Sequence, residues 1–222
     1  QGTDTVSAFG HTIYSGDVNA DNQNDIVMSA VNLELPPFDG RFTIFFGGNL
    51  LDTIADAVIN FYLQEDGYHG FRRGSALGDI NNDGLLDFGY SMWKNPDELS
   101  YLGIIFGSIP LDTLPDLIIS TPFKSHYDPG HFGGTIVPLG DINKDGFDDF
   151  VVGGQTVWPC IFYGGDPFDT IPTILGDTLV DFSRGDRIAN IGDINHDGWD
   201  DIGVGFPAYN FGDGLIYIYF GA

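Results

Sequence analysis

The sequence is poor in positive charge, in cysteine and in long apolar segments. Only 8 of its 222 residues are Lys or Arg, against 32 Asp or Glu, and the formal net charge is −24. A charge of this sign repels nucleic acid and anionic membranes. Cys160 is the only cysteine, which excludes a disulfide within the chain, and no apolar run is long enough to cross a membrane. We therefore expect neither a nucleic-acid partner nor a membrane span.

The residues that are abundant indicate an all-β protein. Glycine occurs 32 times, and aromatic residues make up 14% of the chain, most of them Phe and Tyr. This composition favours many short strands joined by tight turns over long helices. Because 42% of the residues are hydrophobic, the negative charge does not indicate disorder. Bound cations explain it better.

Four copies of one Asp-rich segment divide the chain. They are GDVNADNQNDIVMSA, GDINNDGLLDFGYSM, GDINKDGFDDFVVGG and GDINHDGWDDIGVGF. Their first aspartates are Asp17, Asp79, Asp141 and Asp193, at spacings of 62, 62 and 52 residues. Around each copy the pattern predicts a short strand before it, an apolar strand after it, an aromatic strand ending in Gly, and a further outer strand. A unit of four strands in roughly 50 to 60 residues has the size of one β-propeller blade.

The repeats predict one domain over residues 1–222, with blades at about 1–63, 64–121, 122–182 and 183–222. An isolated blade leaves two apolar faces that neighbouring blades must cover. The fourth unit stops after its third strand. We therefore expect about four blades that form part of a larger propeller or assembly, with a small closed ring as the alternative.

Each Asp-rich segment places oxygen-bearing side chains at positions 1, 3, 5 and 9. Alternate residues of a tightly curled loop point to one centre, and hard oxygen ligands select calcium. Position 7 would add a backbone carbonyl, and position 6 (Asn22, Gly84, Gly146 or Gly198) suits a left-handed turn. The predicted ligands, in chain order, are Asp17, Asn19, Asp21, Gln23, Asp25, Asp79, Asn81, Asp83, Leu85, Asp87, Asp141, Asn143, Asp145, Phe147, Asp149, Asp193, Asn195, Asp197, Trp199 and Asp201.

An EF-hand loop begins in the same way but ends differently. It requires an acidic ligand at position 12 and a following helix. Position 12 is here Met28, Tyr90, Val152 or Val204, and each continuation is β-like. The sequence thus predicts about four calcium ions, one per loop. We expect dissociation constants on the order of 10⁻⁴ to 10⁻³ M, which suit extracellular calcium.

The segments FGHTIYSGDVNADNQNDIV and FGGTIVPLGDINKDGFDDFVVGG resemble FG-GAP repeats, the units of integrin alpha-subunit propellers and of many secreted bacterial proteins. The resemblance covers nearly the whole chain. It implies a β-propeller in which each calcium loop joins the first and second strands of a blade, and it implies metal-ligand roles for the Asp and Asn residues above. The Phe–Gly pair is intact only at Phe9–Gly10 and Phe132–Gly133.

Two further features are candidates for ligand binding. Arg184, Gly185 and Asp186 spell the adhesion tripeptide read by integrins, although they stand where the repeat's own marker turn belongs. Trp93 lies in a variable loop segment and could contact a sugar or a protein. No nucleophile motif, phosphate loop or carboxylate pair occurs outside the Asp-rich segments.

These observations predict a non-catalytic, calcium-binding β-propeller module that mediates protein–protein interaction or adhesion. We expect it to be secreted or on the cell surface, and bacterial. Its partner would be a protein or a glycan held at the blade loops. The alternatives are a carbohydrate-recognition module of a secreted enzyme and a structural subunit of a surface filament. Self-association, or further blades from a longer chain, would complete the propeller.

Overall fold

The computed structural model describes ten stretches of the chain, and these contain fifteen β-strands. The stretches are residues 7–32, 40–48, 54–61, 68–94, 99–111, 114–122, 132–154, 157–176, 187–207 and 213–221. These residues form no helix, and therefore no apolar helix long enough to cross a membrane.

The first two sheets each contain four antiparallel strands in chain order. The strands of the first sheet are β1 (Ser7–Gly16), β2 (Asp25–Asn32), β3 (Gly40–Phe45) and β4 (Ala57–Phe61). Those of the second are β5 (Tyr68–Gly78), β6 (Asp87–Lys94), β7 (Leu99–Ile105) and β8 (Leu117–Ser120). Each sheet is therefore a simple meander.

The third and fourth sheets repeat this arrangement. The third contains β9 (Thr135–Gly140), β10 (Asp149–Gly153), β11 (Cys160–Phe162) and β12 (Thr173–Ile174). The fourth contains β13 (Arg187–Gly192), β14 (Asp201–Phe206) and β15 (Leu215–Tyr219), so its described part has three strands. The predicted all-β class and the four blade-like units are confirmed.

Strand register is the same at the start of every sheet. The glycine that ends the first strand pairs with the aspartate that begins the second, and this pair closes the loop between them. The pairs are Gly16–Asp25, Gly78–Asp87, Gly140–Asp149 and Gly192–Asp201. Since the side chains of a strand alternate between faces, a shared register presents the same loop positions in each sheet.

The hydrophobic core lies between neighbouring sheets. Phe42 and Ile44 of β3 pack in one cluster with Phe88 and Tyr90 of β6, and the rings of Phe42 and Phe88 lie 5.2 Å apart. A second cluster joins the second and third sheets, and a third cluster joins the third and fourth. The sheets thus stack face to face as successive blades.

Strand β10 shows how an interior blade serves two interfaces. Phe150 and Val152 pack toward the second sheet, whereas Val151 packs toward the fourth, and all three side chains are fully buried. This is the period-two alternation of a strand covered on both sides. On the outward faces of the first and fourth sheets, in contrast, Ile13 is 61% exposed and Ile216 is 72% exposed.

Candidate functional site

The four Asp-rich loops connect the first and second strands of their sheets. They lie between β1 and β2, β5 and β6, β9 and β10, and β13 and β14. Their position in the blades is the one that the FG-GAP resemblance implies. We number them loops 1 to 4 in chain order and number their residues 1 to 9 from the first aspartate, so that loop 1 is residues 17–25, loop 2 is 79–87, loop 3 is 141–149 and loop 4 is 193–201.

Backbone N–H groups hold the side chains at positions 1, 3 and 5. In loop 2, Asp79 accepts the N–H groups of Asp83 at Oδ1 and of Gly84 at Oδ2, both at 2.9 Å. Asn81 Oδ1 also accepts the Asp83 N–H (3.0 Å), and Asp83 Oδ1 accepts the Leu85 N–H (2.9 Å). The same four bonds occur in the other three loops. Short Asp and Asn side chains favour such local turns.

Two residues of every loop adopt the left-handed conformation. Position 6 does so, with φ between 62° and 98°, as its Gly or Asn predicts. Position 4 does so as well, with φ between 57° and 62°, although it carries a side chain in every loop: Ala20, Asn82, Lys144 and His196. Sequence analysis missed position 4 because its residue type varies. The two turns together fold positions 1, 3 and 5 into one tight coil.

The aspartate at position 9 is fully buried and joins the loop to the third strand. In loop 2, Asp87 accepts the Ile80 N–H at Oδ2 (2.8 Å) and the Gly107 N–H at Oδ1 (2.7 Å). The corresponding pairs of bonds in the other loops measure 2.7–3.0 Å. Both oxygens therefore have a structural role, and each keeps a second lone pair.

The glycine after the third strand supports the loop structurally, a role that the sequence pattern did not assign. It donates to the position-9 carboxylate, and a Cβ atom in its place would lie 2.1–2.9 Å from a backbone oxygen of the loop. These glycines are Gly47, Gly107, Gly164 and Gly221. The signal was present in the aromatic strand that ends in Gly in every unit.

Burial raises the pKa of two position-9 carboxyls. The pKa of Asp87 rises to about 7, because burial disfavours its charged form and the Asp83 and Asp79 carboxylates repel that charge. These effects outweigh the two backbone N–H donors, which lower the pKa. The pKa of Asp149 rises to about 6, again chiefly through burial and with repulsion from Asp145. These two carboxyls therefore keep their protons at a pH at which an exposed aspartate has lost them.

The donor set fits calcium in kind, because every side-chain ligand predicted is a hard carboxylate or amide oxygen. Among the residues that the structure describes, however, no three Asp, Glu, His or Cys side chains converge closely enough to hold a metal ion. The amide nitrogen of each position-3 Asn donates instead to Oδ2 of the position-5 Asp, at 2.7–3.2 Å. The metal sites and the number of ions therefore stay predictions.

Neighbouring loops contact one another directly. The position-8 N–H of loop 2 (Leu86) donates to the Asp17 carbonyl of loop 1 at 3.2 Å. Position 8 of loop 3, Asp148, donates in the same way to the Asp79 carbonyl of loop 2 at 3.1 Å, and its Oδ2 accepts the Asp79 N–H at 2.9 Å. Loops 1 to 3 consequently form a row across the stacked sheets.

The remaining predicted site residues lie elsewhere. Arg184, Gly185 and Asp186 fall outside the described residues. The prediction that Trp93 lies in a variable loop is wrong: it lies in β6, where its backbone pairs with His69 and Ser100. Its role and that of the tripeptide stay predictions.

Comparison with known proteins identifies similar chains. The chain is 36% identical to integrin alpha-3 of Cricetulus griseus over 101 residues, which are 40% of this chain and 9% of that protein. It is 29% identical to integrin alpha-8 of Homo sapiens over 187 residues (77% and 17%) and 26% identical to integrin alpha-5 of Xenopus laevis over 174 residues (75% and 16%). It thus spans less than a fifth of the length of these curated relatives. No protein-family model matches the chain.

Proposed function

Because the chain is an integrin alpha-like β-propeller of FG-GAP-type repeats, we propose that it is a calcium-binding extracellular module that mediates protein–protein interaction or adhesion and catalyses no reaction. The similarity to integrin alpha chains over as much as 78% of the chain supports the interaction role. A rigid scaffold that presents loops suits such a role.

The observation that carries the calcium proposal is the identical bonding of the four loops. The same donors hold positions 1, 3, 5 and 9 in each of them, although the residues between these positions differ. An ordinary solvated turn does not require four carboxylate or amide groups in one frame. Repetition of the whole arrangement favours a shared ligand.

In each loop the ion would be held by side-chain oxygens at positions 1, 3, 5 and 9 and by the position-7 carbonyl. Bound calcium would supply positive charge among three carboxylates that otherwise repel one another. The chain itself orients these oxygens through its backbone N–H groups, and the buried position-9 aspartate ties them to the third strand. Calcium binding would in this way stabilise the folded form over the unfolded chain.

The partner proposed is a protein with a positively charged surface. With a net charge of −24, the chain attracts cationic partners and repels acidic ones. Even four bound calcium ions would leave a formal charge of −16. Association should then weaken as salt concentration rises.

Two linked measurements test the proposal. Metal-free chain is titrated with calcium while thermal unfolding is followed, and magnesium at the same concentration is the control. The calcium-loaded chain is then applied to arrays of purified extracellular proteins and of glycans, with a chelator in a parallel set. Calcium-specific stabilisation and chelator-sensitive binding to proteins support the proposal. Binding to glycans alone supports the carbohydrate-recognition alternative, and the absence of any stabilisation by calcium contradicts the metal role.

The exposed apolar face of the fourth sheet favours packing against another sheet. Ile216 and Ile218 of β15 are 72% and 44% exposed, whereas the faces between the described sheets are covered. A further blade or a second copy of the chain would cover them. Light scattering on the purified chain distinguishes the two, because only self-association raises the mass above 24.2 kDa per particle.

A further inference from the structure

Loops 3 and 4 are connected by a lysine side chain, whereas loops 1 to 3 are joined by backbone N–H groups and by the Asp148 carboxylate. Lys144 is the position-4 residue of loop 3. Its Nζ atom lies 4.1 Å from the centre of the Trp199 ring in loop 4 and donates a short hydrogen bond to the Gly198 carbonyl. A cation over an indole ring is attracted by the negative face of the ring. One of only eight Lys and Arg residues in the chain is thus used to join two acidic loops.

The contact acts on the part of loop 4 that carries predicted ligands. The peptide group between Gly198 and Trp199 is held at both ends: its carbonyl accepts from Lys144, and its N–H donates to Asp197 Oδ1 at 2.9 Å. Asp197 is the ligand predicted at position 5. The orientation of this peptide therefore bears on where the Asp197 carboxylate points.

Loops 1 to 3 show the equivalent N–H bond to position 5, at 2.8–3.0 Å. Among the described residues, no side chain from a neighbouring loop is seen to hold the position-6 carbonyl in these three loops. Position 4 of loops 1 and 2 is Ala20 or Asn82, which are shorter than lysine. The lysine bridge is thus specific to loops 3 and 4.

We propose that Lys144 is a positioning residue that couples calcium binding in loop 3 to calcium binding in loop 4. The inference rests on the proposed calcium function. Calcium in loop 3 would fix the coil from which Lys144 projects, and Lys144 would then hold the 198–199 peptide in the orientation in which its N–H donates to the Asp197 carboxylate. Because coupling between two sites is reciprocal, calcium in loop 4 would strengthen binding in loop 3 by the same factor.

An opposing effect must be separated from positioning. The Lys144 ammonium group also repels a cation in loop 4, so its removal would strengthen calcium binding if repulsion were its main effect. Screening distinguishes the two, because salt weakens a repulsion between exposed charges and leaves the geometry of the peptide unchanged. The two roles also predict opposite changes in calcium affinity when the charge is removed. Weaker binding in loop 4 indicates positioning, and tighter binding indicates repulsion.

The experiment is a calcium titration of the full chain followed by ¹H–¹⁵N NMR. The position-6 amides of Asn22, Gly84, Gly146 and Gly198 report the four loops separately. Lys144→Met removes the charge and the bond, and Lys144→Arg retains a cation that can donate. Ala20→Met is the matched control, because it introduces the same side chain at position 4 of loop 1, with a φ of 62° against 59° for Lys144.

We expect Lys144→Met to weaken calcium binding in loop 4 by about threefold to tenfold, and Lys144→Arg to restore most of the loss. Loop 1 should be unaffected by Lys144→Met, and Ala20→Met should change calcium binding in the neighbouring loop 2 by less than about twofold. In the wild-type chain Asp141→Asn should weaken loop 4 as well as loop 3, and in the Lys144→Met background its effect on loop 4 should disappear.

Unchanged or tighter binding in loop 4 of Lys144→Met would overturn the proposal, as would an effect of Asp141→Asn on loop 4 that persists without Lys144. A separate outcome concerns the proposed function: if none of the four amides responds to calcium in the wild-type chain, the calcium role itself fails and the coupling fails with it. Loss of the Lys144 contact with Trp199 is checked in metal-free protein by the tryptophan fluorescence of the variants.

Discussion

A methyl group added at Gly164 should destabilise the protein, while the same group added at Gly165 should be tolerated. The two glycines are adjacent after β11, and neither has a positive φ, so alanine is compatible with the backbone at both positions. Their surroundings differ. A Cβ atom at Gly164 would lie 2.4 Å from the Asp148 carbonyl oxygen and 2.8 Å from the Ile80 carbonyl oxygen, whereas the nearest atom to a Cβ at Gly165 is the Pro167 oxygen at 3.5 Å.

The size of the effect follows from the two contacts that must separate. Both oxygens belong to the backbone, one in loop 2 and one in loop 3, so no side-chain rotation relieves the overlap. Overpacking of this kind costs about 1–3 kcal/mol. The shift also stretches the 2.9 Å bond from the Gly164 N–H to Asp149 Oδ1, and hydrogen bonds to charged groups contribute about 1.5–3 kcal/mol. We therefore expect Gly164→Ala to lower the free energy of unfolding by about 3–5 kcal/mol, and Gly165→Ala by less than about 1 kcal/mol.

The assay is urea unfolding of both variants and the wild type at fixed calcium concentration, with tryptophan fluorescence and circular dichroism as parallel probes. Coincident transitions are needed before the midpoints are converted to free energies. Equal destabilisation by the two variants would refute the reasoning, because it would mean that the close approach of loops 2 and 3 to Gly164 does not exist. A destabilisation confined to Gly165→Ala would refute it as well.

Three further predictions concern the loops. Adding about 10 mM calcium to metal-free protein should raise its unfolding temperature, since each loop with a dissociation constant near 1 mM contributes about 1.4 kcal/mol; an unchanged temperature in calorimetry would contradict this. Metal-free protein should lose stability as pH rises from about 4 to about 7, because folded Asp87 and Asp149 keep protons that the unfolded chain has released; urea midpoints that rise over this range would show the opposite sign. Gly78→Ala should destabilise more than Gly140→Ala, because both glycines have a positive φ but only the first would place a Cβ 2.3 Å from the Asp148 carboxylate; equal urea midpoints would exclude that contact.

Much of the fold was predictable because the repeat is expressed in local patterns. The Asp-rich segments mark the same strand-to-strand connection in all four sheets, and the aromatic strands ending in Gly mark the third strands. The left-handed turn at position 6 was predictable from its Gly and Asn residues. The turn at position 4 was not, because Ala20 and Lys144 are uncommon residues for that conformation.

Contacts between sheets could not be predicted from the sequence pattern. Lys144 reaches Trp199 across 55 positions of the chain, and Leu86 donates to the Asp17 carbonyl across 69. Such contacts depend on how one sheet is rotated against the next, which no local periodicity encodes. The structural role of the position-9 aspartate was missed for the same reason. The sequence pattern predicts only a metal ligand there, because the hydrogen-bond donor to Asp87, Gly107, lies 20 residues further along the chain.

The row of contacts between loops changes what calcium would stabilise. In a solitary loop, bound calcium orders only its own turn. Here the Asp79 backbone, which begins loop 2, both donates to and accepts from Asp148 of loop 3, and Gly165 donates to the Ile80 carbonyl at 2.8 Å. Ordering loop 2 therefore fixes donors and acceptors on the edge of the next sheet. Because each sheet has its core against its neighbour, the proposed calcium ions would stabilise the interfaces between blades, and their removal should loosen the stack before it unfolds single sheets.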